Sequence, residues 1–245
     1  MLNDLLLLSG NDIPFPEARL TIHQPTIKEI AYIGEENFYM GCEFLKFSKD
    51  KLDEKDRIHL ENYSNFEVLM SIMREQNAVV QKQKTCVLML LSILFPYYTI
   101  SFKDNYISLK EDKEEIEYII DNNNFEEFKK ILNTIFCLEE EDSASYNPGG
   151  EMAKRIAQKL NRRHQKLAEE KPQEHKIAIL CRYVSILAVG QQKDMNSLLQ
   201  YTVYQLLDEF KRYELKIQYD TYFKAKLAGA KDLKEVEDWM KDIHP

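Results

Sequence analysis

The residues best equipped for chemistry are five histidines, four cysteines and one glycine–lysine stretch, and their spacing decides what they can do. His23, His59, His164, His175 and His244 stand apart, with no His-x-x-x-His or Glu-x-x-His pairing that would hold a metal. Ala188-Val189-Gly190-Gln191-Gln192-Lys193 ends like a phosphate-binding loop, but it lacks the first glycine and the hydroxyl that such a loop needs. Cys42, Cys86, Cys137 and Cys181 are far apart in apolar sequence. That pattern predicts buried, protonated thiols in a reducing compartment rather than disulfides or metal ligands. Carboxylates are plentiful, and surface solvation accounts for them without a general acid or base. The expectation is a non-enzymatic protein with no catalytic residues, no cofactor and no metal.

Two other concentrations remain. Lys154, Arg155, Lys159, Arg162, Arg163 and Lys166 form a basic run uninterrupted by Asp or Glu, in a chain whose net charge is -8. It reads either as a docking surface for an acidic partner or a nucleic-acid backbone, or as a solvated helix face beside the acids Glu139 to Asp142. Interleaved aromatics that would stack on bases are missing, so nucleic acid is not the expected partner. The second concentration is aromatic: Tyr201, Tyr204, Phe210, Tyr213, Tyr219, Tyr222, Phe223 and Trp239 crowd the C-terminal part. Some must be core. Tyr204 and Tyr219 lie off the main apolar seam, and exposed tyrosines on a helix favour a protein–protein surface. The candidate partner-binding residues are thus Tyr204, Tyr219, Tyr222 and Trp239, together with the basic run.

A long helix must carry most of these rings. Leu199, Val203, Leu206, Phe210, Tyr213 and Ile217 are spaced 4-3-4-3-4, the seam of an amphipathic helix facing a partner helix. Asn196 or Ser197 can cap its start and Gly229 can end it. Unbroken, it would run about 48 Å at 1.5 Å per residue and serve as a spine. Asp232 and Glu235 then make a capping-box pattern for a short closing helix to Ile243. Upstream, His175 to Val189 reads as a helix ended by Gly190, and Glu151 to Glu170 as another.

The N-terminal half is mixed. Leu5 to Leu8 and Ala18 to His23 read as short extended pieces around Pro14-Phe15-Pro16. Helices are expected from Thr26, with Gly34 as a break, then over Glu54 to Arg74 and Ala78 to Phe95, the last stopped by Pro96. Tyr98 to Lys110 alternates around Lys103-Asp104-Asn105, a hairpin signal. Phe125 to Phe136 returns to helical spacing. Glu139 to Gly150 carries four acids and then serines, Asn147-Pro148 and two glycines, a linker composition. The reading is a mainly α protein: a mixed α/β domain over 1–140, a linker at 141–150, and a helical domain over 151–245.

With 245 residues, 44% of them hydrophobic and 30% charged, the chain can bury a sizeable core. The negative balance opposes wholesale binding to nucleic acid or anionic membrane. Leu5 to Leu8 is too short for a signal peptide, and Cys86 to Phe95 too short for a membrane span. A cytoplasmic protein is expected; nothing in the sequence sets its oligomeric state.

Three stretches resemble proteins from the tail gene cluster of long-tailed phages and prophages of Gram-positive bacteria. They are Ile22 to Ile30, Asn147 to Met152, and Tyr201 to Trp239 with its Ala228-Gly229-Ala230-Lys231 turn. The chain is similar in kind to a tail assembly chaperone. What the resemblance implies is a host-cytoplasmic protein that holds a long helical tape-measure protein until tail-tube subunits replace it. A virion structural or host-directed interaction protein from the same region, and a nucleic-acid-binding regulator using residues 154–166, are the competing classes.

Overall fold

A computed structural model of the chain describes residues 3–49, 59–111, 116–138, 179–230, 233 and 236–241. The linker at 141–150, the basic run at 154–166 and Asp232 lie outside the described residues. The chain is mainly α, with two small antiparallel sheets in its N-terminal part.

Residues Leu5 to Leu8 are helical and not extended. The Asn3 side chain accepts the Leu5 N–H at 2.9 Å, opening helix α1 (Asp4–Ser9). Leu7 is buried while Leu5 is exposed, so the leucine run is one face of a turn and a half rather than a strand. Strands β1 (Ile13–Phe15) and β2 (Leu20–Ile22) then pair, with Ile13 opposite Ile22 and Phe15 opposite Leu20. Thr26 opens α2 (Ile27–Ile33) through a reciprocal capping box with Glu29, and α3 (Glu35–Leu45) follows at once after Gly34.

Glu29 does more than cap. Its carboxylate accepts from the Thr26 N–H at 2.7 Å and from the Thr26 hydroxyl at 2.8 Å, and it lies 3.3 Å from His23 Nε2. Asp12 stands 2.9 Å from the other ring nitrogen of His23. Burial works to raise the Glu29 pKa, but the Thr26 hydrogen bonds and His23 together hold it below the ordinary value. A depressed carboxylate stabilises the fold above its unfolded pKa, and that contribution disappears as pH falls through the folded value. Thermal melts from about pH 6 down to pH 3 should therefore show an acid loss that is shallower in Glu29→Gln; an identical slope would remove Glu29 from the account.

The centre of the N-terminal part is the contact of α3 with α5 (Ala78–Leu94), where Gly41 lets the backbones approach. A methyl there would stand 2.9 Å from the Cys86 carbonyl and 3.1 Å from Leu90 Cβ. The second helix is interrupted where the spacing predicts it continuous, after the helical His59. Residues 60–63 are turn and bend, and a Ser64–Glu67 capping box starts α4 (Asn65–Arg74) afresh. The hairpin forms as expected, β3 (Tyr98–Phe102) with β4 (Ile107–Glu111), and a third strand β5 (Glu117–Ile120) joins the far edge of β4. Helix α6 (Phe125–Ile135) seats Phe128 between Phe15 and Phe95, at ring-centroid distances of 5.9 and 6.1 Å. Cys42 and Cys86 are buried as predicted, whereas Cys137 and Cys181 are exposed. Cys137 follows the last turn of α6 with φ 48°, which rotates it out of the helix's apolar face.

The C-terminal part contains α7 (Ile179–Gln191), α8 (Met195–Leu199) and α9 (Val203–Leu227). The spine is thus broken at residues 200–202. Thr202 is extended (φ −72°, ψ 168°) because it pairs as an isolated β-bridge with Thr26. Its side chain accepts the Gln205 N–H while Gln205 Oε1 accepts the Thr202 N–H at 2.8 Å, a third capping box. The 25-residue α9 is about 37 Å long. The described residues beyond Gly229 hold no closing helix; Trp239 and Met240 form a turn, with the Asp238 carboxylate accepting the Met240 N–H at 2.9 Å.

These helices share the N-terminal core. One hydrophobic cluster joins Leu7, Ile27 and Phe38 to Leu180, Leu198, Val203 and Leu206. The Ile27 N–H donates to the Tyr201 carbonyl at 2.8 Å, and the Glu35 carboxylate accepts the Leu180 N–H at 2.7 Å in the first described turn of α7. Gly190 does not end α7. It sits inside the helix, where a methyl would overlap the Tyr213 hydroxyl, so the glycine is a notch for that ring. Gly190→Ala should cost about 1–3 kcal/mol in urea unfolding, since either ring or helix must shift. Pairing it with Tyr213→Ala should recover most of that specific loss; independent, additive costs would place the strain elsewhere.

Candidate interaction site

Helix α9 has two halves with different neighbours. In the first, Val203, Tyr204 and Leu206 are buried, and Phe210 stacks on Tyr183 of α7 at 3.9 Å between centroids. In the second, Leu215 is the last buried residue, and from Lys216 to Ala230 no side chain is fully buried. The predicted seam therefore fails at its end: Ile217 is 45% exposed. The reason is that α9 meets α7, α1 and α6 in its first turns, so burial wraps around more of the helix there than one seam allows, and then stops.

That wrapping moves Tyr204 inside. It is 5% exposed, and its hydroxyl reaches the Asp4 carboxylate at 3.5 Å. Burial first, and then the Asp4 charge, push the phenol well above its usual pKa. Tyr204 is a core residue, which corrects its placement on an exposed surface. Tyr219 and Tyr222 are half-buried on the projecting half, flanking the exposed Phe223 at 4.6 and 5.7 Å, with Lys226 Nζ over the Tyr222 ring at 5.7 Å. Leu227 extends the apolar surface at 87% exposure. Lys154, Arg155, Lys159, Arg162, Arg163 and Lys166 all lie outside the described residues.

Beside the first half of α9 opens a cleft of about 750 Å³, bounded by Leu8, Gly190, Tyr201, Tyr213 and Trp239. Its polar wall is built of paired groups. Lys193 hydrogen-bonds the Tyr201 hydroxyl at 2.9 Å and contacts the Glu209 carboxylate. Burial disfavours the Lys193 charge, but Glu209 and Tyr201 outweigh it and raise the pKa, so the amine stays a cation. It is poorly suited to act as a nucleophile. Arg212 lies 3.8 Å from Asp208 and donates to the Lys241 carbonyl at 3.1 Å, drawing the Trp239 segment back along the helix. Tyr219 and Tyr222 thus meet around Phe223 on the projecting half, Trp239 lines the cleft beside the first half, and Tyr204 lies in the core. Lys193 and Glu209 were not found from the sequence: they lie on different elements, 16 residues apart, with no motif between them.

Among the described residues, no group of three or more His, Cys, Asp or Glu could hold a metal, and no helix is long and apolar enough to cross a membrane. Residues 171–244 match the family model of the YomV second domain. The matched stretch takes in α7, α8, α9 and the Trp239 segment, so the likeness falls on the cleft and the projecting helix. No curated protein and no solved structure matches the chain.

Proposed function

Since YomV is a phage-region protein and the match to it covers residues 171–244, we propose that this chain is a phage protein of the tail-assembly chaperone kind. In this reading it is non-enzymatic, works in the host cytoplasm without a cofactor, and holds the helical tape-measure protein during tail assembly. The observation that carries the reading is the projecting half of α9. Beyond Leu215 it presents Ile217, Phe223 and Leu227 to solvent, with the Tyr219 and Tyr222 rings beside Phe223. A helix laid along such a face makes apolar and ring contacts that exchange readily, as a transient holder needs. The net charge of -8 keeps the holder soluble while it carries an aggregation-prone client.

Co-expression with the tape-measure product of the same gene cluster tests this. Phe223→Ala combined with Tyr222→Ala should weaken capture by about 1–2 kcal/mol or more, a loss of roughly 5- to 30-fold, with little change in melting temperature. Undiminished capture by a normally melting variant would move the client elsewhere. Mass spectrometry of purified virions is the second arm. A chaperone is absent from the finished particle, and stoichiometric retention would make the chain a virion component instead.

A further inference from the structure

The tip of the β3–β4 hairpin and the segment joining α4 to α5 wall a groove of about 580 Å³, separate from the C-terminal cleft. Its floor is soft and apolar: Met70 and Met73 are buried, with Phe102 and Tyr106 half-buried beside them. Its rim is cationic: among the described residues, Arg74, Lys84 and Lys103 face a single carboxylate, Asp104. Arg74 is committed to the hairpin tip. Its guanidinium donates to the Asp104 carbonyl and, at 3.3 Å, to Asn105 Oδ1, and lies 3.9 Å from the Asp104 carboxylate. Asp104 is thus matched, and among the described lining residues Lys84 and Lys103 leave two excess positive charges in a chain of net charge -8. Lys84 Nζ stands 5.8 Å from the centre of the Phe102 ring, so cation and ring face are presented together. The amides of Gln76 and Gln81 complete the lining.

We propose that this groove binds a nucleoside phosphate, free or within a single strand of nucleic acid. An acidic peptide would satisfy the lysines and leave the thioether and ring floor idle. Inorganic phosphate would leave the amides idle as well. A nucleotide uses all three: phosphate on Lys84 and Lys103, base against Phe102 and Tyr106, and base edges on the Gln76 and Gln81 amides. The volume falls in the range of small-ligand sites.

The full-length protein is titrated with a labelled oligodeoxythymidine dodecamer, with ATP, inorganic phosphate and poly-glutamate as competitors. The dodecamer should bind at about 50 mM salt and weaken roughly sevenfold at about 200 mM, as two single-strand phosphate contacts require. Lys84→Glu and Lys103→Glu should each weaken binding at least tenfold with unchanged melting. Tyr106→Ser should weaken it without altering the salt slope. Displacement by ATP assigns the groove to free nucleotides, and retention of the dodecamer against ATP assigns it to single strands; either supports the site. Absence of binding to both overturns it, as does binding indifferent to both lysine reversals. Displacement by poly-glutamate or phosphate at equal charge concentration also overturns it, because charge alone would then explain the groove.

Discussion

Tyr204→Ala is expected to destabilise the protein by about 3–5 kcal/mol, while Tyr219→Ala costs about 1 kcal/mol or less. The two residues carry the same side chain on the same helix, roughly four turns apart, and differ only in what surrounds them. Tyr204 is 5% exposed and joins the main cluster, where removing the ring leaves a void that the α1 and α7 contacts hold open. Tyr219 is half-buried against Phe223 alone among described rings, on the half of α9 that projects. Urea unfolding of both variants is the measurement. Tyr204→Phe belongs beside them: it keeps the ring and removes the long hydroxyl contact to Asp4, so its cost should stay near 1 kcal/mol. Equal midpoints for the two alanine variants would show that α9 has one environment along its length.

Phe128→Ala should be at least as costly, about 3–5 kcal/mol, and its effect should spread furthest. The ring is fully buried and stands between Phe15 of the first sheet and Phe95 at the end of α5, with Phe125 at 6.4 Å. It ties α6, β1 and the end of α5 into one layer, so its loss leaves three elements facing a cavity. Phe128→Leu keeps most of the volume and should cost roughly 1.5 kcal/mol or less. The ratio of the two costs is the test. A leucine variant as unstable as the alanine variant would mean that ring shape rather than volume holds the layer.

Elements bounded by local signals were legible in the sequence. Thr26 and Glu29 form the box that starts α2, Gly34 divides α2 from α3, and Lys103 to Asn105 turns the hairpin, because each depends on residues within four positions. The break at 200–202 was hidden since the 4-3 spacing of Leu199, Val203 and Leu206 continues across it. What interrupts the helix is Thr26, far away in sequence, and the Thr202–Gln205 box that marks the restart reads as ordinary helix interior. The candidate site divided in the same way. The aromatic density that made Tyr222 and Trp239 candidates is a compositional signal, legible without the fold. Tyr204 was misplaced because one seam describes one neighbour, and its part of α9 has three. The hairpin groove gave no signal, since its lysines come from α5 and from a turn nearly twenty residues later.

The bridge between Thr26 and Thr202 sets an order of events during synthesis. It closes a loop of 176 residues (202 minus 26), whose closure alone costs on the order of 4–5 kcal/mol of chain entropy. A nascent chain can assemble α3, α5 and the hairpin early, from contacts close in sequence. The Ile27 N–H, however, has no Tyr201 carbonyl to receive it until 174 further residues (201 minus 27) have been translated. Throughout that interval the faces of α1 and α2 that later meet α8 and α9 stand open at the ribosome. Helices α8 and α9 thus act as the closing piece for α1 and α2, and ribosome transit time, more than any single contact, governs how long the unfinished core stays exposed.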